Sequence, residues 1–197
     1  MFRNQPTFTL TSSAATVLIL FGCFQLSGAA SIKAKAWLGP ILIERAWQSS
    51  LASGAVGVKP WSWADTHPVA RLKIPSADKN LLVLAGDSGN ALAFGPGHTL
   101  ASAELGEEGV SVIGGHRDTH FAFLRTVQPG SDVVLETVDG ASKIYRIKSR
   151  RIVDALQDEL TFDSASSALW LVTCYPFDAL LPGGSLRYVV EAVAVDA

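Results

Sequence analysis

Asp132-Val-Val-Leu-Glu-Thr137 and Lys143-Ile-Tyr-Arg-Ile-Lys-Ser149 flank the turn Val138-Asp139-Gly140. An Asp-Gly pair between two β-rich runs is a strong hairpin signal, because such turns need backbone conformations that these residues tolerate. Upstream, further strand-like runs cover Ala70 to Ile74, Leu81 to Ala85 and Val110 to Ile113. Downstream they cover Leu169 to Cys174 and Arg187 to Val195. Only Ala91 to Phe94 and Phe121 to Thr126 read as helical turns, and no internal repeat is visible. Short strands at this spacing predict an all-β barrel or sandwich rather than a βαβ fold.

The chain has 197 residues, enough for one compact domain and an appendage. Hydrophobic residues make up 48% and charged residues 17%, which predicts a real core and excludes extended disorder. The net charge is -2 with no basic stripe, so no nucleic-acid partner is expected. The two cysteines, Cys23 and Cys174, lie in unlike surroundings and read as separate thiols.

Residues 14–32 read AATVLILFGCFQLSGAASI, without a charge. Roughly 20 apolar residues span the hydrocarbon, so this run reads as a single uncleaved transmembrane anchor. A cleaved signal peptide is the competing reading, given the small residues Gly28, Ala29 and Ala30. Arg3 on one side and Lys33 and Lys35 on the other leave the orientation undecided by charge. Over 33–60 follow a helical collar and a linker. Trp37, Leu38, Ile41, Leu42, Trp47 and Leu51 recur near helical spacing, and Pro40 predicts a kink. That helix either packs on the domain or lies at the membrane surface. The division expected is therefore 1–13 cytoplasmic, 14–32 anchor, 33–60 collar and linker, and 61–197 catalytic domain.

Three segments can carry chemistry. Ser111-Val-Ile-Gly-Gly-His116 runs an apolar strand through two glycines into a histidine. Ala168-Leu-Trp-Leu-Val-Thr-Cys174 ends a strand on a thiol, which Pro176 follows. Gly183-Gly-Ser-Leu-Arg187 opens the last strand on an arginine. A free cysteine has a reference pKa of roughly 8.5 and attacks as the thiolate. A histidine nearby can hold a proton and return it to a leaving amine. An arginine can stabilise an oxyanion without changing its own protonation. Taken singly, each residue has a plainer reading: a buried core thiol, a loop histidine and a surface charge.

Gly115-His116-Arg117-Asp118-Thr119, Leu171-Val-Thr-Cys174-Tyr-Pro-Phe and Leu186-Arg187-Tyr-Val-Val together resemble the sortases, cysteine transpeptidases of bacterial surfaces. Val69-Ala-Arg-Leu-Lys-Ile-Pro75 and Ala93-Phe-Gly-Pro-Gly-His98 match in the same order, and the resemblance runs from about Trp61 to the C-terminus. Trp61-Ser-Trp63-Ala-Asp and Cys174-Tyr-Pro-Phe-Asp most resemble the subgroup from Gram-negative bacteria. The resemblance implies an eight-stranded β-barrel with Cys174 as nucleophile, His116 as general acid/base and Arg187 at the oxyanion. It implies cleavage of a sorting signal similar to Leu-Pro-x-Thr-Gly through a thioacyl-enzyme, and transfer of the acyl group to an amine acceptor. Thr173 is implied as a substrate contact, and no cofactor or metal is implied. The anchor and the family together place the domain outside the cytoplasmic membrane, facing the periplasm or the cell exterior.

Other readings compete. His116 and His120 have the i, i+4 spacing of a zinc pair, with Cys174 as a possible third ligand. The glutamate of His-Glu-x-x-His is missing, so His120 is expected to pack against Phe121 and Phe123. Asp118 reads as a loop-capping residue rather than a partner of His116. A cysteine hydrolase would use the same residues as a transpeptidase. L,D-transpeptidases place their cysteine in a Ser-x-Gly-Cys pattern, which Val172-Thr-Cys174 does not match. A membrane-tethered barrel that only binds is the non-enzymatic reading.

Overall fold

The computed structural model describes residues 8–158, 167–179, 181 and 183–195, without the side chains of 8–14, 29–32 and 34. Eight strands form a closed barrel: β1 (Pro68–Ile74), β2 (Lys79–Ala85), β3 (Gly97–His98), β4 (Val110–Gly114), β5 (Asp132–Thr137), β6 (Ser142–Asp154), β7 (Ala168–Cys174) and β8 (Leu186–Ala194). Their order around the barrel is β1-β2-β3-β4-β7-β8-β6-β5, and β5 pairs with β1 to close it. Closure leaves no long unpaired edge. Pairs β2/β3 and β4/β7 are parallel, and the others are antiparallel.

Residue alternation decides which side chains fill the barrel. Strand β1 alternates without exception, burying Ala70, Leu72 and Ile74. Ile113, Val133, Leu135, Tyr145, Ile147, Leu169, Leu171, Val190 and Ala192 join them in one interior cluster. A second cluster lies on the opposite face of β4, β7 and β8, where Val110, Val112, Ala168, Trp170 and Val189 meet Val153 of β6. The Arg151 guanidinium sits 5.0 Å from the Trp170 ring centroid and covers part of it. Strand β7 thus buries side chains on both faces, which is why it reads as an unbroken apolar run.

The chain divides into two compact units at Pro40/Ile41. One helix, α1 (Phe8–Ser53), contains Pro40 and contributes to both. In the second unit Ile43, Ala46, Trp47 and Ser50 are buried at i, i+3, i+4 and i+7, one face of a helix. Ile43 packs with Leu84 and Ala91. Glu44 accepts an ion pair from Arg71 at 2.6 Å, and the Arg71 guanidinium lies 5.7 Å from the centroid of the fully buried Trp47 ring. Residues 41–53 of the expected collar therefore pack on the barrel, and Trp47 is a core residue of that contact.

In the first unit Val17, Leu18, Ile19, Leu20, Phe21, Phe24 and Leu26 are exposed. Among the described residues, no helix is long and apolar enough to cross a membrane. The anchor expected over 14–32 includes side chains at 14 and 29–32 that lie outside the described residues.

Candidate active site

Strand alternation puts Cys174 on the same face of β7 as Trp170 and Val172, outside the barrel interior. Directly opposite it on β8 is Arg187. Facing residues of an antiparallel pair have Cβ atoms about 4.5–5.5 Å apart, within reach of side chains as long as arginine. Cys174 is half-buried and, like Cys23, unbonded to another sulfur. Arg187 Nη1 donates to the carbonyls of Gly184 at 2.8 Å and Leu186 at 3.0 Å. A guanidinium has five N–H donors, so those bonds leave capacity for a further acceptor.

His116 arrives from β4. That strand runs parallel to β7, with Gly114 beside Val172. Gly115 N–H donates to the Val172 carbonyl at 3.0 Å, and the Gly115 carbonyl accepts the Thr173 hydroxyl at 2.7 Å. The residue before His116 is thus tied twice to the residues before Cys174. Gly115 is required there, because an added Cβ would come within 2.7 Å of the Phe121 ring. The His116 carbonyl accepts the Phe121 N–H at 3.0 Å, which turns the chain back under the histidine. The imidazole is exposed.

The structure brings Cys174, Arg187 and the backbone of His116 to one end of the barrel, with Thr173 next to them in β7. Thr173 is 2% exposed and lies on the interior face with Leu169 and Leu171. Its hydroxyl donates to the Gly115 carbonyl and ties β7 to the loop that carries His116. His120 stacks on His116, with ring centroids 6.4 Å apart, while Phe121 and Phe123 pack edge to face with each other. Burial, with the charge of His116 second, holds the His120 imidazole below the ordinary histidine range. Asp118 pairs with Arg117 at 3.0 Å.

Asp154, at the end of β6, is the acid nearest in register to this site. The Ser185 hydroxyl first, then the Leu156 N–H and the Arg187 charge, hold its carboxyl below the usual range. Beyond Cys174, Tyr175, Phe177 and Tyr188 form an aromatic cluster with centroids 5.1 to 6.2 Å apart. Two features escaped the sequence reading: this cluster, and Arg117, which is buried and donates to the Pro176 and Ala179 carbonyls. The concentration of aromatics around Cys174 was a usable signal for the first. Nothing in the sequence marks Arg117 as buried.

A half-buried thiol, an arginine opposite it and a histidine loop tied to the same strand meet at one end of the barrel. The Sortase domain family model matches residues 72–195. The chain belongs to the sortase family. Sortase D of Bacillus subtilis (strain 168) is 31% identical over 120 residues, 60% of this chain and 60% of that protein. The match thus spans less than two thirds of that relative's length. Sortase A from Corynebacterium diphtheriae superposes with a TM-score of 0.61 at 23% identity, covering 79% of this chain and 83% of that one. The Clostridium perfringens Sortase D5 transpeptidase gives 0.57 at 23% identity, covering 66% and 80%. At such identities these structures establish the shared sortase barrel fold.

A cavity of about 590 Å³ in this sortase domain is lined by Glu104, Glu107, Thr137, Asp139 and Lys143, among others. It lies where β6 begins and before β4, at the end of the barrel away from Cys174, and holds none of the candidate residues.

Proposed function

We propose that this sortase is a cysteine transpeptidase that cleaves a sorting signal similar to Leu-Pro-x-Thr-Gly and transfers the acyl part to an amine. The observation that carries the reading is Cys174 facing Arg187 on the outer face of β7 and β8, with Gly115, the residue before His116, bonded to the two residues that precede the thiol. The Cys174 thiolate attacks the signal's carbonyl carbon. Arg187 donates to the oxyanion that forms. The C–N bond then breaks, and His116 as imidazolium gives its proton to the departing amine. A thioester on Cys174 remains. An incoming amine attacks that thioester, His116 takes the amine's proton, and the C–S bond breaks to restore the thiolate.

The run at 14–32 supports a single-pass anchor in the cytoplasmic membrane, with the barrel on the periplasmic or outer side. Its exposed apolar side chains from Val17 to Leu26 suit that setting. The segments Trp61-Ser-Trp63-Ala-Asp and Cys174-Tyr-Pro-Phe-Asp support membership of the Gram-negative subgroup. The test is to incubate the purified chain with a Leu-Pro-x-Thr-Gly-like peptide library, with and without an added amine, and to follow peptide products by mass spectrometry. An amine-dependent ligation product is expected. Hydrolysis alone, unaffected by amine, would reassign the protein as a hydrolase.

A further inference from the structure

Arg117 follows the candidate acid/base directly in sequence, yet it is only 8% exposed. Guanidinium groups are seldom buried so far, because removing the charge from water is costly unless its donors are used. Here they are used in two directions. Nε and Nη2 reach the Asp118 carboxylate at 3.0 and 3.4 Å. Nη1 donates to the Pro176 carbonyl at 2.6 Å and Nη2 to the Ala179 carbonyl at 2.9 Å. Pro176 and Ala179 bracket a turn that begins two residues after Cys174, closed by the Ala179 N–H on the Pro176 carbonyl at 3.4 Å.

We propose that Arg117 is a positioning residue that sets the placement of His116 relative to Cys174 by clamping the histidine loop to the turn that follows the nucleophile. The proposal rests on reading Cys174 and His116 as the working thiol–imidazole pair. Thr173 and Gly115 tie the two loops on the side before Cys174, and Arg117 ties them on the side after it. The nucleophile is therefore braced from both directions against the loop that carries its partner. Only a planar fork can hold a carboxylate and two carbonyls together. A lysine ammonium keeps the charge but loses the fixed geometry.

The experiment measures iodoacetamide alkylation of Cys174 in the full chain, read by peptide mass spectrometry so that Cys23 is counted separately. Wild type, His116→Ala, Arg117→Lys and the double variant form one cycle, with melting temperatures recorded alongside. Arg117→Gln is carried through the same cycle as a second variant. His116→Ala is expected to slow alkylation by at least about threefold, within the range of coupling between neighbouring groups. Arg117→Lys and Arg117→Gln should each slow it in the wild-type background and change it less than about twofold when His116 is already alanine. A merely structural clamp would slow both backgrounds equally, and that result, or wild-type rates in both Arg117 variants, would overturn the proposal. A wild-type rate in His116→Ala would instead overturn the thiol–imidazole pairing on which the proposal rests.

Discussion

Cys174 and Arg187 stand directly opposite one another across β7 and β8, at the end of an outer-face stripe that begins with Trp170 and Val172. The thiol therefore ends a largely buried apolar stripe and faces a cation there. Arg187→Ala should lower kcat/KM by roughly 10²-fold or more, as should His116→Ala, each through loss of a group that acts in the transition state. Among the described residues the Arg187 guanidinium donates to the nearby Gly184 and Leu186 carbonyls and otherwise acts only as a charge near the Asp154 carboxylate, and His116 is exposed, so melting temperatures should stay near wild type. Steady-state kinetics on the best peptide check this, and undiminished kcat/KM in Arg187→Ala would remove Arg187 from the mechanism.

Thr173 makes a different kind of contribution. Thr173→Val keeps the shape but strands the buried Gly115 carbonyl, which should cost about 1–3 kcal/mol of stability. Denaturant unfolding measures the loss. Activity should fall as well, because the tie beside His116 is gone. A valine variant with wild-type stability would show that the Thr173–Gly115 bond contributes nothing.

The histidines give stability a pH dependence with a definite sign. Burial, then the charge of His116, depresses the His120 pKa, and burial, then Lys59, depresses that of His67. As pH falls below about 6.5 the unfolded chain takes up protons that the fold resists, so stability is lost. Burial alone would raise Glu44 and Glu191, but hydrogen bonds from Gln48 and Arg71, and from Ser149 and Arg151, outweigh it and hold both low. Their contribution is lost only in stronger acid. The melting temperature should therefore drop between pH 7 and pH 5, and His120→Gln should flatten that slope. An unchanged slope in the variant would mean that His120 does not resist protonation in the folded protein.

The strands that form apolar or alternating runs between turn residues were legible in the sequence. β5 has the limits its pattern predicts, and β1, β2, β4, β7 and β8 extend the predicted runs or match them within one or two residues. β3 is only Gly97–His98, too short for any alternation to show. β6 runs on to Asp154 past two arginines that alternate to opposite faces, Arg150 donating to the Val127 carbonyl at 2.7 Å and Arg151 pairing with Glu191, so neither charge interrupts the strand. Thr173 could have been placed from alternation alone, since a neighbour of an outward Cys174 must point inward. Arg117 could not: charged loop residues are ordinarily solvated, and its carbonyl partners lie 59 and 62 residues away. Trp47 illustrates the same limit, since helical spacing marks an apolar face without saying what covers it.

The most direct test of the central claim is intact-protein mass spectrometry of the full chain after incubation with a reactive Leu-Pro-x-Thr-Gly-like peptide, followed by mapping of the adduct. An acyl adduct on Cys174 that disappears on addition of an amine is expected, with no adduct in Cys174→Ala despite an unchanged fold. Cleavage of the peptide by folded Cys174→Ala at the wild-type rate would contradict it.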